Sequence, residues 1–161
     1  MLDDTDRAIL RLLQENARIP NAEIARRVGL APSAIFQRVR KLEESGVIQD
    51  YTALLEPRAL GYGMVAFIMM STGEQARTTD TAGILTAIPE VQEVHRVVGE
   101  DCFLVKVRVK DTEHLGRLLE EHIQPIPSIA STRTTIVVKT AKETRTIPIE
   151  EEQRPRLRST A

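Results

Sequence analysis

Residues 21 to 45 read NAEIARRVGLAPSAIFQRVRKLEES, and they predict two short helices joined by one tight turn. Asn21 is the expected N-cap of the first helix, because its side chain can accept from the free N–H groups of the first turn. Gly29 can adopt the left-handed conformation that ends a helix without a Cβ clash. Pro32 suits the first position of the second helix, where its missing N–H has no intrahelical partner. The stretch therefore predicts a helix-turn-helix.

The second helix of this motif has two chemically different faces. At 3.6 residues per turn, Ile35, Val39 and Leu42 share one face, which predicts their burial. The other side carries groups that can recognise DNA, since Gln pairs with adenine, Arg pairs with guanine and an apolar ring can contact the thymine methyl. With two arginines of the first helix, the predicted DNA-binding residues are Arg26, Arg27, Ser33, Phe36, Gln37, Arg38, Arg40 and Lys41.

The charge distribution favours DNA as the partner of this motif. Six Arg and Lys residues lie between residues 17 and 42, where Glu23 is the only acidic residue, although the whole chain has a net charge of −1. A concentrated basic surface attracts the phosphate backbone. The motif alone leaves open an ordinary helical hairpin with a solvated charged face.

The composition is typical of a soluble globular protein, with 161 residues of which 42% are hydrophobic and 28% charged. The acidic start Met-Leu-Asp-Asp lacks the pattern of a secretory signal, and no apolar run reaches the ~18 residues that a membrane span needs. Cys102 is the only cysteine, which excludes an internal disulfide. We therefore expect a cytoplasmic, nucleoid-associated protein with no membrane partner.

The rest of the N-terminal part predicts one more helix and a linker. Residues 2 to 16 have apolar residues at helical spacing, with Asp3 or Asp4 as the cap, and this helix would close a small core over the helix-turn-helix. After Gly46, residues 47 to 55 predict a short strand that leads into the linker. Pro57 and the glycines that follow it mark a domain boundary.

From Met64 onward the pattern predicts a ferredoxin-like βαββαβ domain, in which both helices cover one face of an antiparallel sheet. The predicted order is strand 64–70, helix 80–88, strand 91–98, strand 103–109, helix 112–123 and strand 129–140. The expected class is α+β. The expected segments are residues 1–49 as the helix-turn-helix domain, 50–61 as the linker strand and hinge, 62–140 as the ferredoxin-like domain and 141–161 as a charged C-terminal tail.

The first strand of this domain predicts self-association. Residues 64–70, MVAFIMM, are apolar on both faces, whereas the two helices can cover only one face of the sheet. The second apolar face needs a partner, and another copy of the same sheet is the simplest one. We therefore expect a homodimer.

The chain as far as Thr140 resembles the Lrp/AsnC family of leucine-responsive, or feast/famine, transcriptional regulators. The resemblance is carried by LDDTDRAILRLLQENAR, EIARRVGL, RVRKLEESGVIQDYTA, IPEVQEVHRVVGEDCFLVKVRV and STRTTIVV. It implies a winged helix-turn-helix head, a linker strand, and an effector-binding domain that dimerises and often assembles into octamers or larger rings. It also implies an amino acid or related metabolite as effector, bound between dimers near the turn that begins at Gly99.

This turn has groups that suit a zwitterionic amino acid. Gly99 permits close approach of the backbone, and Glu100 and Asp101 supply acceptors for an ammonium group. Hydroxyl groups of the last strand could serve the carboxylate, whereas Cys102 stands where the family often has Asp. The predicted effector-binding residues are Gly99, Glu100, Asp101, Cys102, Thr134 and Thr135. A plain polar hairpin turn is the alternative reading of the same residues.

Catalytic patterns are missing from the sequence, which has no nucleophile elbow, no phosphate loop and no paired metal ligands. The spacing Gly61-x-Gly63-x-x-Ala66 precedes a predicted strand, whereas a dinucleotide fingerprint must follow one. The three histidines share no motif, which favours surface or packing roles for His95, His114 and His122. We expect no enzyme activity, no cofactor and no metal. Two alternatives stay open, namely an architectural DNA-binding protein without an effector and a small-molecule-binding or enzymatic ferredoxin-like domain.

Overall fold

The computed structural model describes residues 2–74 and 79–150, and the chain divides into two units. One unit comprises residues 54–142, and the other comprises residues up to 53 together with the segment that begins at Glu143. The end of the predicted C-terminal tail, from residue 151, lies outside the described residues.

Three helices form the N-terminal unit: α1 (Asp4–Glu15), α2 (Asn21–Val28) and α3 (Pro32–Glu44). Ile9, Ile24 and Ile35, one from each helix, are fully buried and form the centre of the core. Burial of each such side chain contributes about 1.5–3 kcal/mol. Val39 and Leu42 of α3 also lie in this core, which confirms the predicted inner face of the second motif helix.

A capping box begins α1. The Asp3 carboxylate accepts from the Asp6 N–H at 2.8 Å, and the Asp6 carboxylate accepts from the Asp3 N–H at 3.2 Å. Two N–H groups that lack intrahelical partners are thus satisfied together. Of the two predicted caps, the structure selects Asp3.

The prediction that Asn21 caps α2 is wrong. The cap residue is Pro20, whose carbonyl accepts from the N–H groups of Glu23 and Ile24 at 2.9 and 3.1 Å, so the helix begins one residue earlier than expected. No side chain caps this helix. Gly29 ends it with a φ of 77°, as predicted, and Pro32 begins α3.

The predicted strand at residues 47–55 is also wrong for this chain, because residues 47–56 form no strand. A strand is stable only when its N–H and C=O groups pair with a neighbouring strand, and this segment has none in the single chain. Ile48 packs against the helical core, whereas most of the other apolar side chains stay exposed, with Leu54 at 93% and Leu55 at 68%.

The second unit contains β1 (Met64–Thr72), α4 (Thr81–Thr86), β2 (Val91–Arg96), β3 (Phe103–Val109), α5 (Thr112–Leu118) and β4 (Ile129–Ile136). A π-helical turn, Leu119–Ile123, continues α5. The sheet order is β2-β3-β1-β4 with antiparallel neighbours, which confirms the βαββαβ arrangement. Strand β4 is shorter than predicted: its last pair with β1 joins Ile136 to Ala66, and beyond it the Val137 N–H still donates to the Val65 carbonyl at 2.9 Å.

Strand β1 lies inside the sheet, and its side chains alternate between the two faces. On the inner face Ala66, Ile68 and Met70 are fully buried with apolar residues of the helices. Val65, Phe67 and Met69 alternate with them and lie outside this core cluster. The strand is therefore apolar on both faces, as its sequence predicted.

The described part of the C-terminal segment contacts α1. The Gln14 side-chain amide donates to the Ile147 carbonyl at 3.0 Å and accepts from the Ile147 N–H at 2.8 Å. This pair of hydrogen bonds attaches the segment after Glu143 to the helical unit.

We predict that Asp3→Ala lowers the free energy of unfolding by about 1 kcal/mol at neutral pH, because it removes the side chain that caps α1. Asp4→Ala is the matched control, since Asp4 is an exposed acid of the same turn but does not form the cap. Urea unfolding followed by circular dichroism measures both variants. An equal cost for the two would contradict the assigned cap.

The contribution of Asp3 should also depend on pH. The hydrogen bond from the Asp6 backbone and then the Arg38 side chain lower the pKa of Asp3 below its ordinary value of 3.8. As the pH falls, the Asp3 carboxylate is therefore protonated in the unfolded chain before it is protonated in the folded chain. The stabilisation by Asp3 is complete above the ordinary pKa and is lost as the pH falls through the lower folded value. The difference in the free energy of unfolding between wild type and Asp3→Ala should shrink at pH values below the ordinary pKa of Asp3. A difference that stays constant there would contradict this account.

Candidate nucleic-acid interface and effector site

The outer face of α3 presents most of the predicted base-reading groups. Because Ile35, Val39 and Leu42 are buried, the residues on the opposite side project from the unit. Phe36 is 52% exposed, which is unusual for an aromatic side chain on a helix with a formed core. The exposed residues on this side are Ser33, Phe36, Gln37, Arg40 and Lys41.

Arg38 has a different environment from its neighbours on α3. Its Nη1 donates to Asp3 Oδ2 and to Asp6 Oδ1, both at 2.7 Å. These hydrogen bonds to two carboxylates raise the pKa of Arg38 above its ordinary value. The structure thus places Arg38 as a link between α3 and the start of α1, and its DNA contact stays a prediction. Nothing local in the sequence indicates this link, because the partners are more than thirty residues apart.

The two arginines of α2 share one carboxylate. Glu23 Oε2 accepts from Arg26 Nε at 2.9 Å, and Glu23 Oε1 accepts from Arg26 Nη2 at 2.7 Å and from Arg27 Nε at 2.8 Å. Hydrogen bonds first from Arg26 and then from Arg27 lower the pKa of Glu23 to about 2. The spacing of three and four residues is the sequence signal for such pairs.

Arg40 follows the same pattern, with its Nε 2.7 Å from Glu44 Oε1. Each arginine predicted to bind DNA therefore pairs with a carboxylate of its own unit. Sequence reasoning identified the basic residues and missed these acidic partners, which are Asp3, Asp6, Glu23 and Glu44.

The turn between β2 and β3 forms the candidate effector site. Gly99 has a φ of 149°, a backbone conformation that favours glycine, and no atom lies within 4 Å of the position of a Cβ. Glu100 is exposed, whereas Asp101 accepts from Arg133 Nη2 at 2.7 Å. Arg133 therefore belongs to this site, and sequence reasoning missed it.

Cys102 is fixed at the end of the same turn. Its N–H donates to the Met70 carbonyl at 2.7 Å, and its thiol accepts from the Thr72 hydroxyl at 3.1 Å. The Thr72 hydroxyl lowers the pKa of this thiol below its ordinary value. Thr72 is thus a second residue that the sequence did not assign to the turn.

The structure does not place Thr134 and Thr135 together on one side of the sheet. Thr134 pairs with Ile68, on the buried inner face, and Thr135 pairs with Phe67, on the outer face. Successive residues of a strand point to opposite faces, so only one of them can share a face with Arg133. That residue is Thr135.

Three further features concern metal ligands, membrane-spanning helices and the histidines. Among residues 2–74 and 79–150, no three His, Cys, Asp or Glu side chains are grouped to hold a metal ion. No helix in these ranges has the length and apolar character that crossing a membrane requires. His95 and His114 each lie 3.1 Å from a glutamate, Glu93 and Glu90 respectively.

Two known protein families match this chain, one in its N-terminal part and one in its C-terminal part. The winged helix-turn-helix DNA-binding family matches residues 2–49, and the Lrp/AsnC ligand binding domain matches residues 65–147. The HTH-type transcriptional regulator FL11 of Pyrococcus horikoshii is 42% identical over 148 residues, which cover 92% of this chain and 97% of FL11.

Two solved structures are similar over almost the whole chain. The transcriptional regulator NMB0573 of Neisseria meningitidis, in complex with L-methionine, has a TM-score of 0.86 at 32% identity and covers 92% of this chain and 97% of its own. The feast or famine regulatory protein from M. tuberculosis, complexed with L-methionine, has a TM-score of 0.86 at 35% identity and covers 93% and 100%. The chain therefore belongs to the Lrp/AsnC family of transcriptional regulators, with a winged helix-turn-helix DNA-binding domain followed by an Lrp/AsnC ligand-binding domain.

Proposed function

We propose that the protein is a sequence-specific DNA-binding transcriptional regulator whose assembly or DNA affinity responds to an amino acid or a related small metabolite. The observation that carries this proposal is the outer face of α3, where Phe36, Gln37, Arg40 and Lys41 are exposed over a three-helix core. Its relatives are regulators, which supports a regulatory role over an enzymatic one. DNA as partner implies that it acts in the cytoplasm, at the nucleoid.

The geometry of the helical unit suits entry of α3 into the major groove, which is wide enough for one helix. Gln37 and Arg40 would contact base edges, and Phe36 would contact a thymine methyl. In helix-turn-helix proteins the preceding helix crosses the backbone, which gives Arg26 and Arg27 of α2 a role at phosphates. Base contacts would set sequence preference, and phosphate contacts would set register and overall affinity.

The candidate effector site has charges of both signs. A zwitterionic amino acid needs a donor for its carboxylate and an acceptor for its ammonium group. Arg133 is a donor and Glu100 and Asp101 are acceptors, while Gly99 leaves open space for a ligand. The two relatives solved with L-methionine support an amino acid as the ligand class.

The outer sheet face supports a homodimer, which can build octamers or larger assemblies. Phe67 and Met69 are only partly buried there, and a monomer would leave this apolar surface in water. An effector bound between subunits can change DNA affinity only if it binds one assembly state more tightly than another.

We predict that Gln37→Ala and Arg40→Ala each weaken binding to the preferred site by about 1–3 kcal/mol, because each removes a contact to a base edge. Arg117→Ala is the matched control, since Arg117 is also an exposed arginine paired with a glutamate four residues away, but in the other unit. Fluorescence anisotropy on a duplex selected from a random library measures the affinities.

Random duplex provides the second comparison for these variants. A loss by Arg40→Ala that is equal on selected and random duplex would show a phosphate contact instead of a base contact. Losses no larger than that of Arg117→Ala would contradict the assigned role of α3.

For the effector, we predict that calorimetry with the twenty amino acids detects saturable binding to wild type, and that Gly99→Arg and Asp101→Ala weaken it. The first change fills open space at the turn, and the second removes the carboxylate that pairs with Arg133. Gly116→Arg is the control, because it adds the same side chain to α5 where a Cβ also has no neighbour within 4 Å.

Circular dichroism melts establish that the three variants are folded at the temperature of the titration. No saturable binding to wild type would leave an architectural DNA-binding protein without an effector as the better account. Binding that is unchanged in both turn variants would place the effector elsewhere.

A further inference from the structure

We propose that Glu23 is a positioning residue that restrains Arg26 and Arg27 and thereby lowers the sequence-independent affinity of the protein for DNA. The inference rests on the proposed DNA-binding function and deepens it. It assigns a role in that function to an acidic residue within the most basic part of the chain.

Glu23 accepts three hydrogen bonds from the two arginines, and both of its carboxylate oxygens take part. One carboxylate oxygen accepts from Arg26, and the other accepts from both Arg26 and Arg27, at distances of 2.7 to 2.9 Å. These are short, charge-assisted hydrogen bonds, and Arg26 forms two of them, one to each carboxylate oxygen. A phosphate group would offer an arginine the same kind of contact, so it competes directly with Glu23 for the same N–H groups.

Changes of pH within the physiological range do not relieve this restraint. The arginines lower the pKa of Glu23 to about 2, so its carboxylate is ionised throughout the physiological range. Because exposed ion pairs of this kind are weak, an anion such as a DNA phosphate can displace Glu23 from the arginines. The side chain of Arg26 is 73% exposed, which leaves it accessible to such an anion.

The restraint has a signature in the salt dependence of binding. An arginine that meets a phosphate releases counterions from DNA, and log K falls with log salt by about 0.9 for each phosphate neutralised. In the wild-type protein the Glu23 carboxylate stays beside the arginine that meets the phosphate. Its negative charge offsets part of the neutralisation, so fewer counterions are released. Wild-type protein should accordingly show a weaker salt dependence than a variant without the carboxylate.

A purely structural role for Glu23 predicts the opposite result. Glu23 lies in the first turn of α2, where a negative charge favours the helix, and its pairs with Arg26 and Arg27 have the spacing that supports helices. If Glu23 served only to stabilise α2, its removal would lower the stability of the helical unit and would not increase the affinity for DNA. The sign of the change in affinity therefore separates the two roles.

The test measures binding of the full-length chain to random-sequence duplex DNA over a range of salt concentrations. We expect Glu23→Gln to bind about twofold to fivefold more tightly at low salt, which corresponds to about one recovered ion pair, and to steepen the salt slope by up to about 0.9. Glu23→Ala serves as a second variant. Both must melt well above the temperature of the binding measurement.

Two variants control for the change in charge. Glu113→Gln removes a glutamate from an exposed pair with Arg117 of the same four-residue spacing in the other unit. Glu15→Gln removes an exposed glutamate from the helical unit itself. We expect both to change the affinity for random duplex less than Glu23→Gln does.

A third comparison tests the route through the arginines. In a chain that carries Arg26→Ala and Arg27→Ala, the further change Glu23→Gln should produce no gain in affinity. The proposal is overturned if the gain persists there, if Glu15→Gln produces an equal gain, or if neither Glu23 variant binds more tightly than wild type. Wild-type protein that binds neither selected nor random duplex would overturn the proposed DNA-binding function as well.

Discussion

The second unit depends on one constraint, which is that β1 is apolar on both faces and pairs with a strand on each side. Hydrogen bonds to β3 and β4 fix it in the middle of the sheet, and Ile68 on its inner face is fully buried. Both helices contribute to the core on that face. The outer face retains apolar surface at Phe67 and Met69, which is the physical basis for the proposed assembly.

In the helical unit, recognition depends on the same separation of faces. Packing of Ile35 against the other two helices fixes the rotation of α3 about its axis, and the Arg38 pairs with Asp3 and Asp6 join α3 to the start of α1. Groups that read bases must be held in a fixed geometry to discriminate between sequences. In the proposed complex, the ion pairs of Arg26 and Arg27 with Glu23 add a further level of control, because DNA would compete with this carboxylate.

The sequence predicted the elements whose shape depends on local periodicity, namely the helix-turn-helix, the βαββαβ order and the buried face of α3. It could not predict the partners of Arg38, which are distant in the chain, or the pairing of Arg133 with Asp101, which depends on sheet register. The strand expected at residues 47–55 failed because pairing is not a local property. The separation of Thr134 from Thr135 did follow from strand alternation and could have been foreseen.

The proposed regulation requires that a small molecule bound in the second unit changes binding of DNA by the first. The most direct measurement is a titration of the selected duplex with full-length protein, in the absence and presence of each of the twenty amino acids. We expect at least one of them to change the dissociation constant about 5- to 150-fold, the range of ordinary allosteric coupling. Tight duplex binding with the same dissociation constant under all twenty-one conditions would contradict the proposed regulation.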